Sequence, residues 1–520
     1  MQGEKECVSA YEEKLYRMLS FFGERRNRRV VKKCPAKALT LGELLEIAGI
    51  DTDLVSSKIK EKLNTIVPQI CRAGSRFTKD CVCVQFDEDS DNCMKWAMDN
   101  GALVLISRNQ IEDYPCIVVS CPEEVYAKMC RYYRDLSEAD IIAVAGSIGK
   151  TTTKRMIANV LKTTYNTFGD PENENQIDCI GYACQHIPDK CRKLVQEVSE
   201  DTPGCVTHIS TIIRPVISVI TAIDNSHMAN FGSKEAIVKE ILSIQDSMSE
   251  DGVVVINKDD AKFWDQTPEL FKRKVITISL ENEGADYYSR NIKKTKLGLE
   301  FEICSKYIDK PITVKLSNIF ANHNIYSALY ATAVGVLQGV KAEDIAKGLS
   351  CYKTSGYRQN IYRVKGNVLI YADCYNAVAK SIKSALEAAD NIPVEGKKIA
   401  VLGDVEEAGD MSEKTHCEIL DSVNNSEFDV LYAYGEKLGA ALADYHWTRD
   451  NLKIIAVDNK KDMIQSLKKN INNGDLVLFK ASRKSALEEV IKALYPRAYK
   501  KRQLEHNLPI IKWRMKVIRS

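Results

Sequence analysis

The stretch Ala143–Met156, AVAGSIGKTTTKRM, passes from small apolar residues through two glycines to a lysine and three threonines. Gly146 and Gly149 let the backbone turn tightly and bring N–H groups against phosphate oxygens. A helix starting near Lys150 aims its positive end at the same place. Lys150 reaches terminal phosphates as a point charge, and Thr151 offers a hydroxyl to Mg²⁺. Ser147 and Thr152 complete the loop and the first helical turn. The common phosphate-loop spacing puts a glycine at Val144, so the form here is the shorter G-x-x-G-K-T-T. Its setting, between the buried-type strand ADIIAVAG and the helix KTTTKRMIANVLKTTY, predicts a nucleotide-phosphate site.

Working outward, three regions differ in texture. Residues 1–136 mix short apolar runs with charge. ALTLGELLEIAGI reads as a capped helix, and ALVLIS and CIVVSC read as strands. Residues 137–350 alternate apolar strands (ADIIAVAG, RPVISVITAI, GVVVINKDD) with amphipathic helices, the pattern of a parallel sheet covered on both faces. Residues 356–496 repeat that rhythm in NVLIYAD, KIAVLGD, DVLYAYG, LKIIAVD and DLVLFKAS, a Rossmann-like unit with no G-x-G-x-x-G. Residues 497–520 form a basic tail. The predicted fold class is α/β in three domains.

The chain has 520 residues, 45% hydrophobic and 28% charged, with a net charge of +2. That balance argues against a nucleic-acid binder acting through bulk charge. No run of about 18 apolar residues occurs, and the N-terminus lacks a signal-peptide core, so a cytoplasmic protein with no integral membrane segment is expected. The 17 cysteines are odd in number and scattered, which predicts buried, reduced thiols rather than disulfides. Cys81 and Cys83 in DCVCVQF share one face of a strand. GERRNRRVVKK reads as a solvated basic face.

A metal beside the phosphates needs further ligands. Glu197 ends the apolar stretch LVQEVSE, and His227 lies just past a strand in ITAIDNSHMANFGS, where α/β sheets bind ligands. Taken singly, a lone glutamate is more often a surface charge and a lone histidine a satisfied structural residue.

The order of motifs resembles that of the Mur ligases. The loop, VQEVS, VITAIDNSHMANFGS, GVVVINKDD and FANHNIYSALYATAVGVLQGV are followed by GYRQNIY, YADCYNAVAKSIKSALEAA, KIAVLGDVEEAGDMSEKTHCEI and GDLVLFKASRKSALEEVIKAL. The resemblance runs from Ile141 to Leu494 and is strongest to the branch that joins D-Ala-D-Ala to UDP-MurNAc-tripeptide. It implies an N-terminal domain for a UDP-sugar peptide, a central ATP domain and a C-terminal domain that closes over both. In this family ATP phosphorylates a carboxylate, and an amine attacks the acyl phosphate to give amide, ADP and phosphate. By position the resemblance places Lys150 on the transferring phosphoryl group, Thr151, Glu197 and His227 around Mg²⁺, and Asn324 beside the adenine. Arg358 and Asp373 would reach ATP from the C-terminal domain, about a hinge between Leu349 and Gly356. A monomer acting on small molecules, in peptidoglycan precursor synthesis, is implied.

Three departures from the family stand out. A lysine that becomes carbamylated and helps hold a second Mg²⁺ falls fourteen residues past the metal histidine; here that position is Ile241. Lys239 is near, but two residues turn a helix by about 200°. The loop N-T-x-G-N-x-N reads NTFGDPENENQ, with Asp170 in one asparagine place. The uridine-recognising D-S-R is reduced to Ser75 and Arg76 in PQICRAGSRF. Two alternatives therefore stand beside the main reading: a related ligase for another carboxylate and amine, and a nucleotide-binding regulator without ligation.

Overall fold

The computed structural model describes residues 39–73, 78–86, 89–169, 175–223, 228–260, 268–354, 356–406 and 412–502. Ser75, Arg76, Asp170, His227, the patch GERRNRRVVKK and the end of the basic tail lie outside the described residues. The chain divides into two compact units.

The first unit comprises the described residues up to Ser137 together with Ile177–Asp189. It holds an antiparallel pair, β1 (Leu39–Thr40) and β2 (Ile66–Val67). A four-stranded parallel sheet follows, β3 (Ile70–Arg72), β4 (Val82–Val84), β5 (Val104–Ser107) and β6 (Cys116–Val118). Thr40 and Glu43 form a reciprocal capping box that starts the helix Leu41–Ala48. Cys81 and Cys83 are fully buried, as the alternation in DCVCVQF predicts, and Cys71 on β3 joins them. The helix Ile177–Gln185 packs against the helix Pro122–Asp135. A Cβ on Gly181 would strike the ring of Tyr126, so only glycine allows this approach. The Gln185 amide pairs with the Ile70 backbone, accepting from its N–H at 2.9 Å and donating to its carbonyl at 3.0 Å.

The second unit comprises the described parts of Glu138–Gln176 and Lys190–Ile510 and carries two sheets. The larger contains β7 (Asp140–Ala145), β8 (Thr167–Gly169), β9 (Lys193–Glu197), β10 (Ile217–Ile220), β11 (Val253–Asn257), β12 (Lys274–Ser279), β13 (Tyr287–Thr295), β14 (Gly298–Ser305) and β15 (Ile312–Ser317). Their order is β15-β14-β13-β12-β11-β10-β7-β9-β8, parallel from β8 to β13, with β13, β14 and β15 forming an antiparallel meander. The helices Lys150–Leu161 and His323–Leu337 pack on it through a core that includes Ile142, Val144, Met156, Val160, Ala328 and Val334. The second sheet runs β16-β17-β21-β18-β19-β20, from β16 (Asn360–Arg363), β17 (Leu369–Ala372), β18 (Lys398–Gly403), β19 (Val430–Tyr434), β20 (Lys453–Val457) and β21 (Leu476–Lys480). All but β16 are parallel. The start of the basic tail is helical, and Tyr499 stacks on Tyr357 with their hydroxyls 2.7 Å apart.

Candidate active site

The phosphate loop sits at the C-terminal end of β7, beside the end of β10, where parallel sheets gather ligands. A Cβ on Gly146, whose φ is 115°, would collide with the Thr221 side chain. Ser147 and Ile148 donate their N–H groups to the Ala222 carbonyl at 2.9 and 3.2 Å, which ties the loop to the chain leaving β10. The first bond closing a helical turn runs from Thr153 N–H to Gly149 C=O at 3.0 Å. The amides before Thr153 therefore point out of the helix end.

Four charged side chains converge below this loop. Lys150 Nζ donates to both oxygens of Glu200, at 3.0 and 2.9 Å. Lys154, one turn later on the same helical face, lies 3.4 Å from Glu197 Oε2. Thr151 donates its hydroxyl to the same oxygen at 3.0 Å, and Asn175 Nδ2 donates to the other at 3.2 Å. Burial acts to raise the Glu197 pKa. Lys154, then Lys150 and Arg358, with the Thr151 hydrogen bond, outweigh it and hold the carboxyl below its usual value. Glu197 is thus a buried, ionised carboxylate beside the loop.

A second cluster lies at the ends of β17 and β21. Asn324 donates from Nδ2 to Gln359 Oε1 at 2.9 Å, and Gln359 N–H donates to Asp373 Oδ1 at 3.0 Å. Lys480 Nζ lies 2.9 Å from Asp373 Oδ2. Gln359 Nε2 also meets His323 Nε2. Asn324 Oδ1 is buried with no hydrogen-bond partner among the described residues. The Arg358 guanidinium lies over the Tyr375 ring, 3.9 Å from its centroid. Tyr352, in the segment joining the two sheets, is buried.

Lys150, Thr151 and Glu197 therefore come together, with Arg358 within electrostatic reach, while Asn324 and Asp373 are joined through Gln359. The sequence reading missed Lys154, Asn175, Glu200, Gln359 and Lys480. Lys154 was legible as the helical neighbour of Lys150, and Glu200 stands in the same short run as Glu197. Among the described residues no cluster of three or more His, Cys, Asp or Glu side chains is arranged to hold a metal. Ile241 is fully buried, whereas Lys239 is exposed on the same helix, Lys234–Leu242.

A phosphate-loop parallel sheet followed by a Rossmann-like sheet defines a nucleotide-binding α/β protein of two linked sheets, preceded by a smaller unit. Residues 144–335 match the Mur ligase middle domain, and residues 357–483 match the Mur ligase, glutamate ligase domain. The UDP-N-acetylmuramoyl-tripeptide--D-alanyl-D-alanine ligase of Bacillus subtilis is 32% identical over 413 residues, covering 78% of this chain and 88% of that one. The enzyme of the same name from Escherichia coli is 26% identical over 88% of this chain and 98% of its own. Crystal structures of MurF from Acinetobacter baumannii and of MurF from Thermotoga maritima in complex with ADP are similar, with TM-scores of 0.75 and 0.68. Their identities are 21% and 26%; they cover 88% and 82% of this chain, and 99% and 95% of their own. The chain belongs to the Mur ligase family.

Proposed function

We infer that the chain is an ATP-dependent amide ligase that joins D-Ala-D-Ala to UDP-MurNAc-tripeptide, a step of peptidoglycan precursor synthesis. The observation that carries the chemistry is the meeting of Lys150, Thr151 and ionised Glu197 at the end of β7. The substrates follow from the relatives, above all the 32% identity to the Bacillus subtilis enzyme.

The residues fit ATP and Mg²⁺. The Gly146 turn leaves no room for a Cβ, the helix end presents free-facing amides, and the unpartnered Asn324 Oδ1 accepts an amino N–H such as that of adenine. Mg²⁺ takes hard oxygen ligands, and the Thr151 hydroxyl and Glu197 carboxylate supply two; His227 is the proposed third. When bound, Mg²⁺ neutralises phosphate charge. Lys150 offsets charge on the transferring phosphoryl, and Arg358 and Asp373 approach the nucleotide from the second sheet. A carboxylate is a poor electrophile. Phosphorylation turns its oxygen into a leaving group, and the amine of the incoming dipeptide then displaces phosphate. The protein's part is positioning and charge neutralisation.

In this reading residues 1–136 form the UDP-sugar-peptide domain, 137–350 the ATP domain and 356–496 the C-terminal ligase domain. The enzyme acts as a cytoplasmic monomer, and among the described residues no helix is long and apolar enough to cross a membrane. The test is ADP release by purified protein with ATP and Mg²⁺, given UDP-MurNAc-tripeptide and D-Ala-D-Ala singly and together. Release only with both is expected. Release with other carboxylate–amine pairs alone would transfer the chain to a different ligase reaction, and no release with any would leave a nucleotide-binding regulator.

A further inference from the structure

Both peptide groups flanking Arg358 are tied to the segment that leaves β17. Tyr375 N–H donates to the Tyr357 carbonyl at 3.2 Å, and Gln359 N–H donates to Asp373 Oδ1 at 3.0 Å. Asp373 is itself faced by Lys480, 2.9 Å from its other oxygen. The backbone at Arg358 therefore has one register on Asp373–Tyr375. Its side chain lies on the same segment, with the guanidinium 3.9 Å from the centroid of the Tyr375 ring. Among the described residues that guanidinium enters no hydrogen bond and no ion pair. Arg358 and Tyr375 are both half-buried. The charge nevertheless reaches the phosphate loop, since Arg358 is among the groups that keep Glu197 ionised.

A carboxylate and an aromatic ring hold an arginine with different consequences. A carboxylate takes the N–H groups as a fork, and a phosphate must then displace it. A ring face attracts the charge through its quadrupole and leaves the N–H groups unspent. It also restricts in advance a long side chain whose rotamer freedom is otherwise lost only when ligand binds. We propose that Tyr375 is a positioning residue that pre-orients Arg358 for nucleotide phosphate, its ring holding the guanidinium in place while the N–H groups stay open to phosphate oxygens. The inference rests on the reading above that Arg358 approaches the nucleotide. Tyr375 acts through Arg358, so its contribution to nucleotide binding vanishes when the guanidinium is removed.

The experiment is a double-mutant cycle on binding of a non-hydrolysable ATP analogue with Mg²⁺, read by calorimetry. Arg358→Ala removes charge-assisted hydrogen bonds to phosphate and should weaken binding by about thirtyfold. Tyr375→Leu leaves the guanidinium without its ring and should weaken binding by about fivefold. Added to Arg358→Ala, the same Tyr375→Leu change should cost less than about twofold. Additive losses would mean that the tyrosine touches the nucleotide itself or only supports the fold, and they overturn the proposal. Tyr375→Phe keeps the ring and should bind within about twofold of wild type. A phenylalanine variant as weak as the leucine variant overturns the proposal too. Tyr375→Met, flexible and of similar bulk, takes the place of leucine if that variant does not fold, with the same cycle expected. Unchanged affinity in Arg358→Ala would instead overturn the placing of Arg358 on the nucleotide. A loss there with none in Tyr375→Leu overturns only the role given to the ring.

Discussion

At the phosphate loop Lys150 is held by a carboxylate from a different element, fifty positions along the chain. At the C-terminal edge Lys480 is held by Asp373, at the end of the strand beside its own. There Asp373 N–H continues the ladder to the Phe479 carbonyl at 2.9 Å. Lys480 also donates to the carbonyls of Asp373 and Asn376, at 3.3 and 2.9 Å. Among the described residues one lysine has a single carboxylate and a route to solvent; the other has three acceptors, and its side chain is 3% exposed. The first arrangement can exchange partners when a ligand comes. The second fixes a carboxylate in place. A buried ion pair is thus no single kind of object: its exposure and the number of fixed acceptors separate a working contact from a structural one.

The largest effect expected from this contrast is on turnover. Lys150→Ala should lower the ligation rate by on the order of 10³-fold or more, since a charge at the transferring phosphoryl is lost. It also removes the ion pair with the buried Glu200, so some stability should go with it. The double variant Lys150→Ala/Glu200→Gln should regain that stability and none of the rate. Ligation assays and thermal melting of both variants check this. Recovery of rate in the double variant would place the catalytic charge elsewhere.

Stability should show the next effect, in the opposite region. Asp373→Asn removes the carboxylate that faces the buried Lys480, and should cost about 3 kcal/mol. Glu200→Gln should cost less than about half of that, because Lys150 can reach solvent. Urea midpoints at constant slope measure both. Equal losses would erase the distinction between the two lysines.

A smaller effect concerns pH. Burial lowers the His323 pKa from 6.5, against the opposing influence of Asp373 and the Gln359 hydrogen bond. A histidine with a depressed folded-state pKa binds more protons when unfolded. The stability it contributes is therefore present above the ordinary value of 6.5 and is lost as pH falls from there toward the folded value. Replacing it with the non-titrating His323→Gln should flatten the loss of melting temperature between pH 7.5 and about 5.5. An unaltered slope would show that the imidazole does not titrate within this network.

Particular residues show which features of the fold and the cluster were legible in advance. Continuous apolar runs such as IIAVA and IAVLG mark buried parallel strands because both faces are covered, and those strands lie where the pattern puts them. The antiparallel meander β13–β15 was not read. Its strands alternate exposed and buried residues, as in ITVKLS, a weaker signal than an unbroken apolar run. The helix Ile177–Gln185 was counted with the ATP domain by chain order, yet it packs with the first unit, through a Gly181 approach that no local pattern announces. In the site, Lys150, Thr151 and Glu197 were legible because loop spacing and strand ends point to them. Glu200 stands in the same short run as Glu197, but only the fold shows that it faces Lys150.

The smallest expected effect is none at all. In relatives with a carbamylated lysine, carbon dioxide forms a carbamate whose charge helps hold a second Mg²⁺. Ile241 has no nitrogen to carbamylate, and it is buried in the core of its helix rather than facing ions. Lys239 is exposed on that helix. The next residue, Glu240, turns instead to the backbone N–H groups of Gly204 and Val206, at 2.9 and 2.8 Å, and anchors the start of the helix Cys205–Ile213. This helix therefore gives a cation nothing, and any second Mg²⁺ must rely on Glu197 and substrate oxygens. With fewer fixed anions its binding weakens. Ligation should accordingly be indifferent to bicarbonate and should need more Mg²⁺ than in lysine-bearing relatives. Ile241→Lys should not improve the enzyme, since it puts an unpaired ammonium where an apolar side chain packs, at a cost of several kcal/mol. The measurement is a Mg²⁺ titration of ligation rate in carbon-dioxide-depleted and bicarbonate-supplemented buffer at fixed pH. Clear activation by bicarbonate would mean that another lysine supplies the carbamate, and the two buried pairs at the phosphate loop would then be the first place to look, with Lys154 beside Glu197.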